Sequence, residues 1–67
     1  MMNSKYRTIN KSDNKIMTTS DPAFVAQYLI GRRLDNYMVI KSDSRGDRLI
    51  SLKANNYQDM IVEVEAQ

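Results

Sequence analysis

The stretch Asp21–Leu34, DPAFVAQYLIGRRL, decides how the chain is read. Asp21 is an N-cap residue, because its carboxylate can accept from the free backbone N–H groups of a first helical turn. Pro22 follows at the first helical position, where its missing N–H costs nothing. Alanine, glutamine and leucine then supply good helix propensity. Arg32 and Arg33 close the stretch, where positive charge meets the negative end of the helix dipole. These signals predict a helix over 22–33. Gly31 offers an earlier stop, since glycine takes the left-handed backbone that ends many helices.

On that helix the apolar residues fall into two groups at about 100° per residue. Val25, Leu29, Ala26, Ile30, Ala23 and Leu34 form a broad arc. Phe24 and Tyr28 form a smaller patch nearly opposite. A helix lying on one sheet needs a single stripe, so the second patch calls for a cover: the N-terminal segment, a second copy of the chain, or a partner.

Working outward, Lys5–Asn10 and Lys15–Thr19 have strand character from tyrosine, threonine and isoleucine. Between them lies the turn chemistry of Lys11–Asn14. An N-terminal β-hairpin over 5–19 is expected, with a flexible basic arm as its rival and residues 1–4 expected to be disordered. After the helix, 37–42 reads as a strand with four consecutive apolar residues, which suits an inner position. Residues 48–54 alternate, placing Ile50, Leu52 and Ala54 on one face and Leu49 on the other. Residues 60–66 alternate too, with Met60, Val62, Val64 and Ala66 on one face. The expected fold is α+β: one helix packed on a three-stranded antiparallel meander (37–42, 48–54, 60–66), within a single small domain spanning 1–67.

Composition narrows the chemistry. The chain has 67 residues, no cysteine and no histidine, so disulfides and Cys/His zinc sites are excluded. A core this small supplies roughly 3–5 kcal/mol, and such chains often add oligomerisation. No apolar run approaches the roughly 20 residues that span a bilayer, so no membrane partner is expected and a cytoplasmic location is. The net charge is +2 and the pI about 9.1. Charge runs from a basic start (Lys5, Arg7, Lys11, Lys15) to an acidic end (Asp59, Glu63, Glu65).

No catalytic constellation emerges. Without histidine or cysteine the usual general bases and thiol nucleophiles are missing. Glu63 and Glu65 sit two apart on the expected third strand, as any wet strand face does. Asp43 and Asp47 flank a turn too short to ligate calcium. Arg45-Gly46-Asp47 spells a cell-adhesion tripeptide but reads as a hairpin tip. Gly31-Arg32-Arg33 lacks the glycines and the Lys-Ser/Thr of a phosphate loop. No catalytic, cofactor or metal residue is assigned, and no small-molecule substrate is expected.

Two functional expectations follow. The first is a non-enzymatic protein-interaction module, an inhibitor or adaptor that docks on a larger protein or on itself. Its anchors would be Phe24, Tyr28 and Leu49, with Arg32 and Arg33 on the rim, since aromatic anchors dominate interfaces. The composition is of the kind met in small accessory proteins of phages and mobile elements. The second is a nucleic-acid-binding regulator, in which Lys5, Arg7, Lys11, Lys15, Arg45 and Arg48 grip phosphates and Tyr6 stacks on a base.

Overall fold

A computed structural model describes residues 4–67, so the expected disorder at 1–4 falls outside it except at Ser4. The chain forms β1 (Lys5–Asn10), β2 (Ile16–Thr19), α1 (Pro22–Leu29), a short 3-10 turn (Leu34–Asn36), β3 (Tyr37–Asp43), β4 (Gly46–Ile50) and α2 (Tyr57–Ala66). The strands make one antiparallel sheet in the order β2-β1-β3-β4. The class is therefore α+β. A ββα unit occurs twice, and the two units join through their first strands.

The N-terminal hairpin forms, with β1 and β2 paired from Tyr6↔Thr19 to Ile9↔Ile16. Asn14 takes the left-handed φ of 62° that its turn requires, a conformation asparagine tolerates better than most residues. Residues 5–19 are thus an integral half of the sheet.

Helix α1 starts as its sequence dictates. The Asp21 carboxylate accepts from Ala23 N at 3.0 Å, and Pro22 opens the first turn. It does not run to 33. Ile30 leaves helical geometry and Gly31 follows at φ +80°, so the earlier stop prevails and Arg32 and Arg33 lie beyond the helix.

The meander is the main correction. β3 and β4 form its first hairpin, but β4 ends at Ile50, and 51–55 has neither regular structure nor ladder pairing. The expected third strand, 60–66, is instead the body of α2. Asn56 caps it, its Oδ1 accepting from Asp59 N at 2.9 Å while its Nδ2 donates to the Asp59 carboxylate at 2.9 Å. The first of these is the N-cap bond of a capping box; the second returns to the Asn56 side chain and not to its backbone N–H. Met60 and Val64 are buried four apart, whereas Val62 is 62% exposed, which is helical spacing. Over seven residues, MIVEVEA satisfies both periods, and only the cap upstream separates them.

The acidic end is consequently structural. Glu63 Oε1 accepts from Lys53 N and Ala54 N at 2.8 and 3.0 Å, pinning 51–55 to α2. The Gln67 amide binds Ser51 through both its N–H and C=O, and the Arg48 guanidinium donates to the Gln67 carbonyl. Both helices lie on one face of the sheet, where Tyr6, Val25, Ala26, Leu29, Val39, Ile50, Met60 and Val64 make a single core. The shortest dimension, 16 Å, is that of one helix layer on one sheet layer.

Candidate functional site

Among the described residues, no helix lies over the other face of the sheet. Residues directly opposite in an antiparallel ladder share a face, so the register sorts every strand residue. Tyr6, Thr8, Val39, Lys41 and Ile50 point toward the helices, and all are buried. Their neighbours point the other way. One row of this open face reads Ile16–Ile9–Met38, and the next reads Thr18–Arg7–Ile40–Leu49. The last reads Lys5–Ser42–Asp47. The face is therefore divided, with an apolar patch crossing all four strands and a polar row beside it.

Ile16 is 61% exposed and Leu49 64%. Ile9, Met38 and Ile40 are half-buried, yet none packs against the core. Ile9 and Met38 are cross-strand neighbours on the pleated surface. An antiparallel sheet whose second face meets water is ordinarily polar there, so a contiguous apolar patch is a departure from the usual pattern. It continues around the sheet where pairing stops at Val39↔Ile50. There β3 and the outgoing chain diverge around a shallow groove of about 440 Å³, lined by Met38 and Leu49 from the open face and by Leu34 and Leu52 from the helix side.

The polar row is closed by ion pairing. The Arg7 guanidinium donates to Asp47 at 2.8 Å and, more weakly, to Ser42 Oγ at 3.4 Å. The Ser42 hydroxyl and Arg7 together hold the Asp47 carboxyl below the usual range. At the turn, the Arg45 backbone N–H, and then Arg48, do the same for Asp43. Among the described residues, Arg7, in the same row as Ile40 and Leu49, is the one strand charge bordering the apolar side chains, and its guanidinium is turned toward Asp47.

The residues expected to act together are separated. Leu49 lies on the open face, whereas Phe24 and Tyr28 belong to α1 on the opposite side. Tyr28 has found its cover at the start of β3. Its ring meets Tyr37 edge-on at 6.1 Å, and Arg32 lies over it at 4.6 Å. Arg32 also donates to the Tyr28 carbonyl at 2.7 Å and to Tyr37 Oη at 3.2 Å. Phe24 stays 45% exposed, and Arg33 is exposed beside Asp35 at 3.5 Å.

The residues expected to grip nucleic acid are also dispersed. Tyr6 is 4% exposed in the core, so it offers no ring for stacking. Burial pushes its phenol pKa up. Arg7 is paired with Asp47, and Lys11 Nζ donates to the Asp35 carbonyl at 3.0 Å. Arg48 is bound to Asp43 at 3.0 Å and to the end of α2. Lys5 and Arg45 are exposed at the end of the sheet where β3 turns into β4, and Lys15 is exposed at the other end.

Ile9, Ile16, Met38 and Ile40 escaped the sequence reading. The signal is the run of apolar residues at both parities in YMVI, which the sequence reads as an inner strand position. The strand is inner, but among the described residues only its helix side is covered. Among the described residues no group of three His, Cys, Asp or Glu side chains is placed to hold a metal ion. No helix among them is long and apolar enough to cross a membrane. No protein-family model matches the chain, and neither a curated protein nor a solved structure does.

Proposed function

We propose that the chain is a non-enzymatic docking module that binds a larger protein, as an inhibitor or adaptor, through the open face of its sheet. One observation carries this: the row Ile16–Ile9–Met38, with Ile40 and Leu49 beside it, is apolar on a face that none of the described elements covers. Burying such side chains is worth about 1.5–3 kcal/mol each relative to exposure, enough that a few of them dominate an interface. The Arg7–Asp47 pair and Lys5 form the polar rim that interfaces ordinarily have.

This reading replaces the anchor set Phe24, Tyr28 and Leu49 by one surface. Leu49 is kept, and Phe24 with the Tyr28–Arg32 stack belongs to the other side of the molecule. The nucleic-acid alternative draws less support. Its tyrosine is core, its two innermost arginines are tied to carboxylates, and no aromatic ring stands on the open face. The test is capture from native-host lysate by wild type, by Leu49→Glu and by Phe24→Glu, each with and without nuclease. A protein partner held by wild type and by Phe24→Glu, lost by Leu49→Glu and indifferent to nuclease is the expected result. Partners that vanish with nuclease, or that Leu49→Glu retains, overturn it.

A further inference from the structure

The sheet has two free edges, β2 and β4, and the chain treats them differently. β4 carries Asp47 and Arg48, opens at Gly46 with φ +105°, and has its exit at Ser51 held by the Gln67 amide. Charge, irregular backbone and a covering group are the usual means by which an edge is kept from pairing. β2 has none of them. Ile16–Thr19 reads IMTT, without charge, proline or glycine. A bare, regular edge is a template for another strand.

The hydrogen-bond alternation of the hairpin shows which groups it offers. Asn10 N donates to Lys15 O at 2.9 Å, so the mutually bonded pairs with β1 recur every second residue, at Thr8↔Met17 and Tyr6↔Thr19. Ile16 and Thr18 therefore turn their N–H and C=O groups outward, with nothing in the sheet to receive them.

We infer that the occupant of this edge is β2 of a second copy, paired antiparallel about a two-fold axis through Thr18. An antiparallel contact between identical strands is self-complementary by construction and closes after two copies. The axis stands perpendicular to the sheet, so like faces stay together. In this register Thr18 pairs with the partner's Thr18, and Met17 with the partner's Thr19, the pairs that lie within β2 on both copies. Just beyond the strand ends, Lys15 comes near the partner's Asp21, and Asp21 near the partner's Lys15. Both residues are exposed, so each end of the joined edge gains an opposite-charge pair. The two sheets become one, with all helices on one side and both apolar patches on the other. The inference goes beyond the docking proposal and does not rest on it, since the edge and the open face are different surfaces.

Sedimentation of the full chain over a wide concentration range, together with amide hydrogen exchange, tests it. A monomer–dimer equilibrium is expected, with the Ile16 and Thr18 amides protected progressively as the dimer fills. Thr18→Pro removes an outward N–H and leaves the β1–β2 bonds intact, so it should give a folded monomer. Lys15→Asp should weaken dimerisation at least several-fold, with the effect shrinking in high salt. Leu49→Glu should leave the dimer unchanged. A monomer up to millimolar concentration with fast exchange at Thr18 overturns the inference without touching the docking proposal. So does a dimer that survives Thr18→Pro or is broken by Leu49→Glu.

Discussion

Ile40 and Leu49 stand directly opposite each other on β3 and β4, on the face of the sheet that no helix covers. The next residue along each strand, Val39 and Ile50, is also a cross-strand pair, and each is 5% exposed beneath the helices. One step along the chain thus separates core from surface. Leu49→Glu should change unfolding free energy by no more than about 0.5 kcal/mol, as surface substitutions do. Ile50→Glu buries an unpaired carboxylate and should leave no cooperative urea transition. Comparable losses in the two variants would contradict the assignment of faces.

Val62 and Val64 discriminate the helical reading of the C-terminal segment. In a strand they share a face; in α2 Val64 is fully buried and Val62 is 62% exposed. Val62→Asp should be tolerated within about 0.5 kcal/mol, whereas Val64→Ala alone should cost about 1.5–3 kcal/mol in transfer and cavity terms. Asn56→Ala should cost about 1 kcal/mol by removing the cap. Urea denaturation of the three variants checks the order.

Lys41 is 6% exposed on the central strand, and its ammonium donates to the Val64 and Glu65 carbonyls at 3.4 Å each. It supplies the positive charge that the last turn of α2 lacks in its own sequence. The Tyr6 ring lies 5.7 Å from the same nitrogen. The bonds are long and the ammonium is largely desolvated, so the two effects offset. Lys41→Met should cost at most about 1 kcal/mol, in the range of one net hydrogen bond. Lys41→Glu sets a carboxylate against carbonyl oxygens and should cost at least about 3 kcal/mol. Chemical denaturation of both variants measures the difference.

Stability should fall at both pH extremes for separate reasons. Asp43 and Asp47 have folded pKa values below their unfolded ones. Their contribution is present above the unfolded pKa of about 3.9 and is lost as pH falls through the folded values. Tyr6 has a raised folded pKa, so its contribution is full below about pH 10 and is lost as pH rises toward and through the folded value. Thermal unfolding against pH should show Asp43→Asn flattening the acid limb and Tyr6→Phe flattening the alkaline one.

Much of the fold was legible where local chemistry is unambiguous. Asp21-Pro22 fixes the start of α1, the polar turn Lys11–Asn14 separates two strands, and the run YMVI marks an inner strand. What failed was a choice between two periods on a short segment. MIVEVEA alternates as a strand and also repeats every four residues, and the deciding signal lay upstream in Asn56 and Asp59. Losing that strand moved the site as well. With 60–66 helical and packed beside α1, the sheet is completed by the N-terminal hairpin, and the face bearing Leu49 has no cover. Of the two rings outside the main apolar arc of α1, Tyr28 is covered within the chain by Tyr37 and Arg32, and Phe24 stays exposed. Their separation from Leu49 depends on which side of the sheet the helix takes, which periodicity within one element does not encode.

The most direct test of the docking surface is amide and side-chain NMR of the labelled chain titrated with the protein it captures from host lysate. Docking through the open face predicts perturbations concentrated at Ile9, Ile16, Met38, Ile40 and Leu49, with Phe24 and Val62 unmoved, and at least a 30-fold weaker affinity for Leu49→Glu, which corresponds to about 2 kcal/mol. Perturbations centred on Phe24 and the Tyr28–Arg32 stack, with Leu49→Glu binding as tightly as wild type, would contradict it.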